Sequence, residues 1–514
     1  MKKTSALQSA LGEKDRDELP EGWAEIELED HIYIAGRIGW RGLKAEEYTP
    51  TGPILISVPN LNYGDEVNFS KVYHISDSRY DESPEIKLQV GDTLLVKDGA
   101  GIGKLGYVAD LPGKATVNSS LLVVRPRDQL LSHRYLFYYL KGPRFQEIAL
   151  QRITGSTTPH LFQKDIKQFK ILVPPLHEQG RIAGRIAVFA DQANACCGRL
   201  SKVPKILKAF RQSVLAAACC GRLTEDWRDS RSSKDTAAAL LEEIATYRRR
   251  RAPKRYQVDY PVDDADGLPD SWAWSSVGNV TSHIADVDHR MPKPQSRGIP
   301  YISTKDFTDS GIDFDNAKRI SSHDFELLSK KIRPEQGDLL LSRYGTIGEV
   351  RRVSTKIDFQ VSYSVAIIKT LPVDGFTDWL HLCLLNMDAQ RQMSDSIRAS
   401  SQPDLGLEYI RLLRIPIAPV SEQHEIVSRV EALFKLANKI EERVAAATER
   451  ADKLTQAMLA KAFRGELVPT EAELARKEGR DYESASILLE RIKAERDKSD
   501  AATNATKRRL TKRK

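Results

Sequence analysis

The chain has 514 residues and a mass of 57.8 kDa, too long for one core, so about two to four domains are expected. Its composition, 41% hydrophobic and 29% charged, is that of a soluble globular protein. No apolar run approaches the ~20 residues of a membrane span, and Met1-Lys2-Lys3-Thr4-Ser5 opens no signal core, so a cytoplasmic location is expected. A net charge of +7, from 78 Lys+Arg against 71 Asp+Glu, permits nucleic acid as a partner without requiring it. The five cysteines, Cys196, Cys197, Cys219, Cys220 and Cys383, include no CxxC spacing and read as reduced thiols, with neither a disulfide framework nor a zinc or other metal site.

Residues 1–18 read as a polar N-terminal extension. Residues 19–175 carry short β-branched and aromatic runs between Gly, Pro, Asn and Asp, such as Thr93-Leu94-Leu95-Val96-Lys97 and Ser119-Ser120-Leu121-Leu122-Val123-Val124. These predict strands, interrupted by one helical stretch over 134–149. Gly101-Ile102-Gly103-Lys104-Leu105-Gly106 matches GxGxxG, but residues 107–113 read as strand and turn rather than helix. The phosphate-cradling alternative fails at Asp98 and Leu105, so a tight turn between strands is expected, with no cofactor. Lys97 and Lys104 flank that turn. Further on, Arg152, Thr154, Ser156, Thr157 and Thr158 lie in a polar stretch ending at His160; such side chains can donate to phosphates and reach base edges. Ordinary exposed turn and loop residues are the alternative at all these positions.

Residues 176–225 form a first spacer helix. Ile182, Ile186, Phe189, Ala193, Cys196, Leu200, Val203, Leu207, Phe210 and Val214 are spaced alternately four and three apart, which is a heptad seam that takes Cys196 and leaves Cys197 outside. Pro175 with Glu178 predicts its start and Gly221 its end, while Pro204 predicts a kink or a break. Residues 226–267 form a helical linker with a basic run, Arg248-Arg249-Arg250-Arg251 with Lys254 and Arg255, read as solvated charge that strengthens phosphate binding without reading sequence.

From 268 the chain repeats itself. Leu268-Pro269-Asp270-Ser271-Trp272 returns Leu19-Pro20-Glu21-Gly22-Trp23, and Gly337-Asp338-Leu339-Leu340-Leu341 returns Gly91-Asp92-Thr93-Leu94-Leu95. A second globular domain over 268–419 has its helical stretch at 378–396, Arg343 and Tyr344 beside the turn, and Arg398, Ser400, Ser401 and Gln402 in the equivalent polar stretch. A second spacer helix over 420–468 carries Ile426, Val430, Leu433, Ala437, Ile440, Val444, Ala447, Ala451, Leu454 and Met458, each 244 positions after its counterpart. Residues 469–514 form a C-terminal helical segment and basic tail.

The fold class is therefore α/β, of the α+β kind, with two strand-rich globular domains alternating with two long helices in a pseudo-twofold internal repeat. A stretch of about 40 residues makes a helix of about 60 Å, which must pack on another helix. Intramolecular pairing is expected, with a homodimeric coiled coil or burial against partner subunits as alternatives. Segments 43–80 and 297–325 share little, so the frame is duplicated and the content is not. A duplicated enzyme keeps its reactive residues in both copies, whereas a duplicated reader of two targets diverges where it reads. No Gly-x-Ser-x-Gly, His-Glu-x-x-His or Asn/Asp-Pro-Pro-aromatic motif is present, and His177 and His424 fall at helix starts.

Pro-x-x-Glu-Gln at Pro175, Glu178 and Gln179, and at Pro419, Glu422 and Gln423, opens each spacer helix; Gln212 to Leu215 with Gly221 and Leu223, and Gln456 to Leu459 with Gly465 and Leu467, close them. With the Gly-Asp-x-Leu-Leu turn, these make the chain over residues 19–495 resemble the specificity (S) subunits of type I restriction-modification systems. The resemblance implies a non-catalytic DNA-binding subunit with two target-recognition domains, 19–175 and 268–419, each reading one half of a bipartite, asymmetric site on double-stranded DNA. It implies further that the helices pair as an antiparallel coiled coil and dock two methyltransferase (M) subunits, and that restriction/translocase (R) subunits join them. S-adenosylmethionine, ATP and Mg2+ would then sit on those partners and no cofactor on this chain. A fused DNA methyltransferase or nuclease, and a coiled-coil scaffold without sequence readout, are the other readings; salt-dependent DNA binding separates the scaffold from a DNA reader.

Overall fold

The structure, a computed structural model, describes residues 19–511 apart from 38–42, 63, 100, 155–159, 232–234, 263–266, 309–310 and 398–403, with the backbone alone of 152–154 and 499–511. It divides into two compact units that do not follow the sequence halves. One joins the residues up to 201 with those from 445 onward, and the other is the continuous stretch 202–444.

In the first unit a four-stranded antiparallel sheet runs Ile32–Gly36, Leu121–Pro126, Thr93–Val96, Leu105–Tyr107. Alternate side chains enter two different cores, as a period of two requires: Leu95, Leu122 and Val124 pack under the helices, while Leu94, Val96, Leu121 and Val123 face a second sheet. Burial on both faces is why these strands read as unbroken apolar runs. The second sheet has three strands, Tyr73–His74, Thr49–Ile56 and Ala115–Val117, the last pair parallel. Ala24–Glu27 pairs with Lys170–Val173 and so ties the start of the domain to its end.

The second unit repeats these strands and adds a short hairpin, Phe307–Thr308 with Gly311–Ile312. Its four-stranded sheet runs His283–Ala285, Val365–Lys369, Leu339–Ser342, Val350–Arg352, and its three-stranded sheet runs Lys318–Ile320, Ile299–Ile302, Gln360–Val361. Segments 43–80 and 297–325, which share little sequence, supply the same strands, a parallel pairing included. The single helical stretch expected in each domain is two helices. His133–Lys141 and Pro143–Thr154 meet at Gly142, where Pro143 cannot donate to the preceding turn, and Phe376–Leu385 and Met387–Asp395 meet at Asn386, whose backbone is extended.

The first spacer helix is broken as Pro204 requires, into Leu176–Leu200 and Val203–Cys219, with the proline in the first turn of the second piece; its counterpart Val420–Ala462 is continuous. Within each unit the spacer segments pair antiparallel. Ile182 and Ile186 share a core with Leu459 and Ala462 in the first unit. In the second, Val214 and Leu215 share a core with Ile426 and Val430, and Arg211 binds Glu441 at 2.8 Å. The pairing is thus intramolecular. Leu200, Leu207, Phe210, Leu433, Ile440, Val444 and Met458 are buried or half-buried along these faces. Two seam positions are corrected: Phe189 is 39% exposed and Leu454 is 71% exposed. A helix of 3.6 residues per turn drifts off a strict heptad, so Ala190 and Thr455 turn inward instead. The same drift reverses the expectation for the adjacent thiols, since Cys196 is exposed and Cys197 half-buried.

Each domain is fastened to a helix start and a helix end. The Trp23 indole donates to Glu178 Oε1 at 2.9 Å, and Glu471 N donates to Glu178 Oε2 at 2.8 Å. In the second unit Trp272 donates to Glu422 Oε2 at 2.8 Å, and Thr224 Oγ1 and Arg228 serve Glu422 Oε1. Gln179 donates to Leu130 O at 2.7 Å and accepts from Ser132 N at 2.7 Å. The spacer helices end at Gly221 and Gly465, both with φ 77°, the left-handed region a glycine enters at little cost. A Cβ at Gly221 would lie 2.5 Å from Pro269 Cγ, and one at Gly465 would lie 2.8 Å from Pro20 Cγ. Substituting alanine at either glycine combines backbone strain with a clash, so G221A and G465A should each lower stability by about 1–3 kcal/mol. Urea unfolding of the full chain checks this, and an alanine variant as stable as the parent contradicts it.

Candidate nucleic-acid interface

The glycine-rich segment is a turn between Thr93–Val96 and Leu105–Tyr107, and among the described residues no helix begins there to present amides to a phosphate. Gln146 Nε2 caps it by donating to Gly103 O at 2.9 Å, and Gln390 Nε2 does the same to Gly348 O at 2.8 Å in the second unit. The far end of each polar stretch is bound to the same turn. His160 bridges Asp98 and Leu161 N donates to Lys97 O at 2.9 Å; Asp404 bridges Tyr344 and Leu405 N donates to Arg343 O at 3.0 Å. In each domain the described residues at the end of the polar stretch are thus held at the glycine turn, at one end of the central sheet.

Individual candidates fare differently. Lys104 is exposed, its ammonium donating to Asn62 Oδ1. Lys97 is largely covered, 3.9 Å from Asp98. Arg343 is not available to a phosphate: it is 6% exposed, ion-paired with Asp286, and its Nε donates to Leu405 O at 3.1 Å. Burial without such partners would be prohibitive for a guanidinium, so this residue is structural. Tyr344 donates to Asp404 Oδ2 at 2.8 Å and packs edge-on to Tyr363, which stacks on His289 at 4.6 Å. Ser156, Thr157, Thr158, Arg398, Ser400, Ser401 and Gln402 lie outside the described residues, and Arg152 and Thr154 are described by backbone alone. Of the basic run, Arg248 is no solvated charge but a clasp, donating to Tyr256 O at 2.7 Å and pairing with Asp259.

The sequence reading missed the edge of the three-stranded sheet. Tyr73 and Lys318 occupy the same register position, paired with Leu55 and Tyr301 respectively. In the first unit Tyr73 is exposed and stacks on Tyr48 at 4.6 Å; nearby, Arg79 is paired with Glu47 and Lys87 with Asp81, while exposed Lys71 has no carboxylate partner among the described residues. In the second unit the edge borders an open concavity of about 620 Å³ whose lining includes Gln295, Arg297, Lys318 and Arg319 together with one carboxylate, Asp315. Arg319 is braced by Phe314 O at 3.2 Å. Among the described residues Arg290, Lys293, Arg297 and Lys318 have no carboxylate partner, and Met291 beside them is 82% exposed. The residues lie in or next to the segment that differs most between copies, which was the available signal.

In the four-stranded sheet of each unit the aspartate of the Gly-Asp pair is met by a cation from the neighbouring strand. Arg125 contacts Asp92 at 2.8 Å and Lys369 contacts Asp338 at 2.7 Å. Burial raises both carboxyls despite those cations, Asp338 to about 6. The cation and the backbone N–H of Glu335 limit the rise without cancelling it.

Residues 20–197 and 286–450 match the type I restriction modification DNA specificity domain. The chain is 28% identical over 390 residues to the EcoBI type I restriction enzyme specificity subunit of Escherichia coli, covering 74% of this chain and 76% of that one. It is 26% identical over 495 residues to the EcoKI specificity subunit of Escherichia coli strain K12, covering 93% and 96%. Its fold matches a chain from a structure of type I R-M complex assembly and conformational transition, with TM-score 0.56 and 16% identity over 88% of this chain and 100% of that one. The chain belongs to the type I restriction-modification DNA specificity family. Its role is to supply target specificity, as a recognition component and not a catalytic one. No helix among the described residues is long and apolar enough to cross a membrane.

A carboxyl whose folded pKa is raised favours folding below its unfolded pKa, and that contribution is lost as pH rises through the folded value. Between pH about 4 and 6 the parent should therefore lose about 2 kcal/mol that Asp338→Asn retains. Urea unfolding at both pH values reads the difference; equal pH dependence in the two proteins would count against the raised carboxyl.

Proposed function

We propose that each unit reads one half of a split, asymmetric site on double-stranded DNA, so that the target is set by two domains of one frame and unlike reading edges. The observation that carries this is the pair of equivalent sheet edges, stacked tyrosines at Tyr48 and Tyr73 in one unit and unpaired cations at Arg297 and Lys318 in the other. Cations of this kind anchor phosphates and read guanine edges, whereas tyrosines offer ring faces and hydroxyls, so the two edges suit different partners.

The spacer helices would dock two methyltransferase subunits, and restriction/translocase subunits would complete the assembly in the cytoplasm, where the DNA is. Exposed apolar side chains on the spacer segments support the docking: Val188, Phe189 and Leu454 in the first unit, Ile206 and Leu436 in the second. S-adenosylmethionine, ATP and Mg2+ would be held by those partners and not by this chain.

Co-expression with a partner methyltransferase subunit in a methylation-free host, followed by modification mapping, should yield a two-part motif that depends on this chain. Exchanging residues 19–175 for those of a relative should then change one half alone; a continuous motif would end the split-site reading. In binding titrations on DNA carrying that motif over a salt series, R297A and K318A should weaken binding and flatten its salt dependence by about one phosphate contact each. Both should act through the half read by the second unit, and Y73A through the other half.

A further inference from the structure

In the second unit the chain that leaves the four-stranded sheet for the three-stranded one passes through an irregular segment, Arg290-Met291-Pro292-Lys293-Pro294, that is fastened on both sides. Before it, the His289 ring stacks on Tyr363 at 4.6 Å and meets Tyr344 edge-on at 6.3 Å, beside the glycine turn. After it, Gln295 N donates to Arg319 O at 2.8 Å, on the edge of the three-stranded sheet. A proline fixes its own φ and confines the residue before it to extended backbone, so Met291 to Pro294 keep little freedom between these anchors.

Met291 is 82% exposed, more than any other large apolar side chain among the described residues, and it packs in neither apolar core of the unit. Arg290 and Lys293 flank it without a carboxylate partner, as Arg297 and Lys318 stand on the adjoining edge. The nearest carboxylates in sequence are Asp288, 3.8 Å from Lys331, and, across the concavity, Asp315. An apolar protein groove would call for a contiguous apolar patch, which one methionine among cations does not make. The arrangement suits a surface that is anionic outside and apolar within, which is what stacked base pairs between two rows of phosphates present.

We propose that Met291 is a wedge that enters the minor groove at the half-site met by the second unit and inserts between two base pairs, so that this unit selects its DNA partly by how easily one step unstacks. The inference rests on the reading of each unit as a DNA reader. The minor groove, about 6 Å wide, admits a single extended segment, and its negative potential draws in Arg and Lys side chains such as those beside Met291. Apolar wedges of this kind unstack a step and bend the duplex by roughly 20–90°. Pyrimidine–purine steps give way most easily, so one of them is expected under Met291. Because the segment is stiff and anchored, little chain freedom is lost when it inserts.

The test uses the full chain assembled with a partner methyltransferase subunit on duplexes carrying the mapped motif. In these, 2-aminopurine, which brightens when unstacked, replaces each purine in turn along the second unit's half and its flanks. One bright pyrimidine–purine step is expected, with a bend of at least about 20° by end-to-end energy transfer. Brightness at the base to be methylated is extrusion by the methyltransferase and should persist in every variant. Met291→Ala should darken the step, straighten the duplex and weaken binding about tenfold, whereas Met291→Leu, of like volume, should retain all three properties. A two-part motif with no bright step, or with one that survives in M291A, overturns the wedge and leaves the split-site reading standing; a continuous motif removes both. If exchanging thymine for uracil in that half weakens binding by the parent but not by M291A, Met291 sits on a thymine methyl in the major groove, and the wedge is equally overturned.

Discussion

In each unit a glutamate from the first turn of a spacer helix is carried into the interior and held there by an indole N–H. Taking a carboxylate out of water is unfavourable, as the raised Glu178 carboxyl records, so the arrangement persists only because its donors are fixed in place. Those donors come from several parts of the chain: the tryptophan that opens a recognition domain, and a segment that follows the end of the opposing spacer helix. One buried charge therefore sets the angle between domain and helix within its unit. Pro-x-x-Glu-Gln and Leu-Pro-x-x-Trp occur together because they are two sides of this contact.

With the frame held from inside, the outer sheet is released from structural duty. The central strands send alternate side chains into two cores and tolerate little change in volume. The edge of the three-stranded sheet contributes backbone hydrogen bonds that any residue can make, so Tyr73 and Lys318 can stand at one position without altering the fold. The edge proposed to read DNA is thus the place where sequence can vary freely, and packing lies where it cannot.

What the sequence disclosed follows the same division. Local signals were legible: the proline before each spacer helix, the glycine after it, the break at Pro204, the turn that imitates a cofactor loop. The repeat disclosed the architecture, because it exposes a frame without requiring its contacts. What stayed hidden was decided by distant partners. Arg343 reads as an exposed turn cation until Asp286 and Leu405 close on it. Glu178 reads as a helix-start carboxylate until Trp23, 155 positions away, donates to it. The strands of 43–80 and 297–325 carry no common pattern because their shared feature is backbone pairing, and the seam at Phe189 and Leu454 failed because a heptad is only an approximation to the helical repeat.

The discontinuous unit also has a temporal side. Residues 202–444 are contiguous and can close on themselves as they leave the ribosome, but the first recognition domain waits for Leu459, Phe463 and Leu488, which complete its core. At typical synthesis rates of about 5–20 residues per second, the roughly 240 intervening residues impose a delay of roughly ten to fifty seconds. During that interval part of the apolar underside of the first domain lacks its cover, and that domain is completed after the one that follows it in the chain.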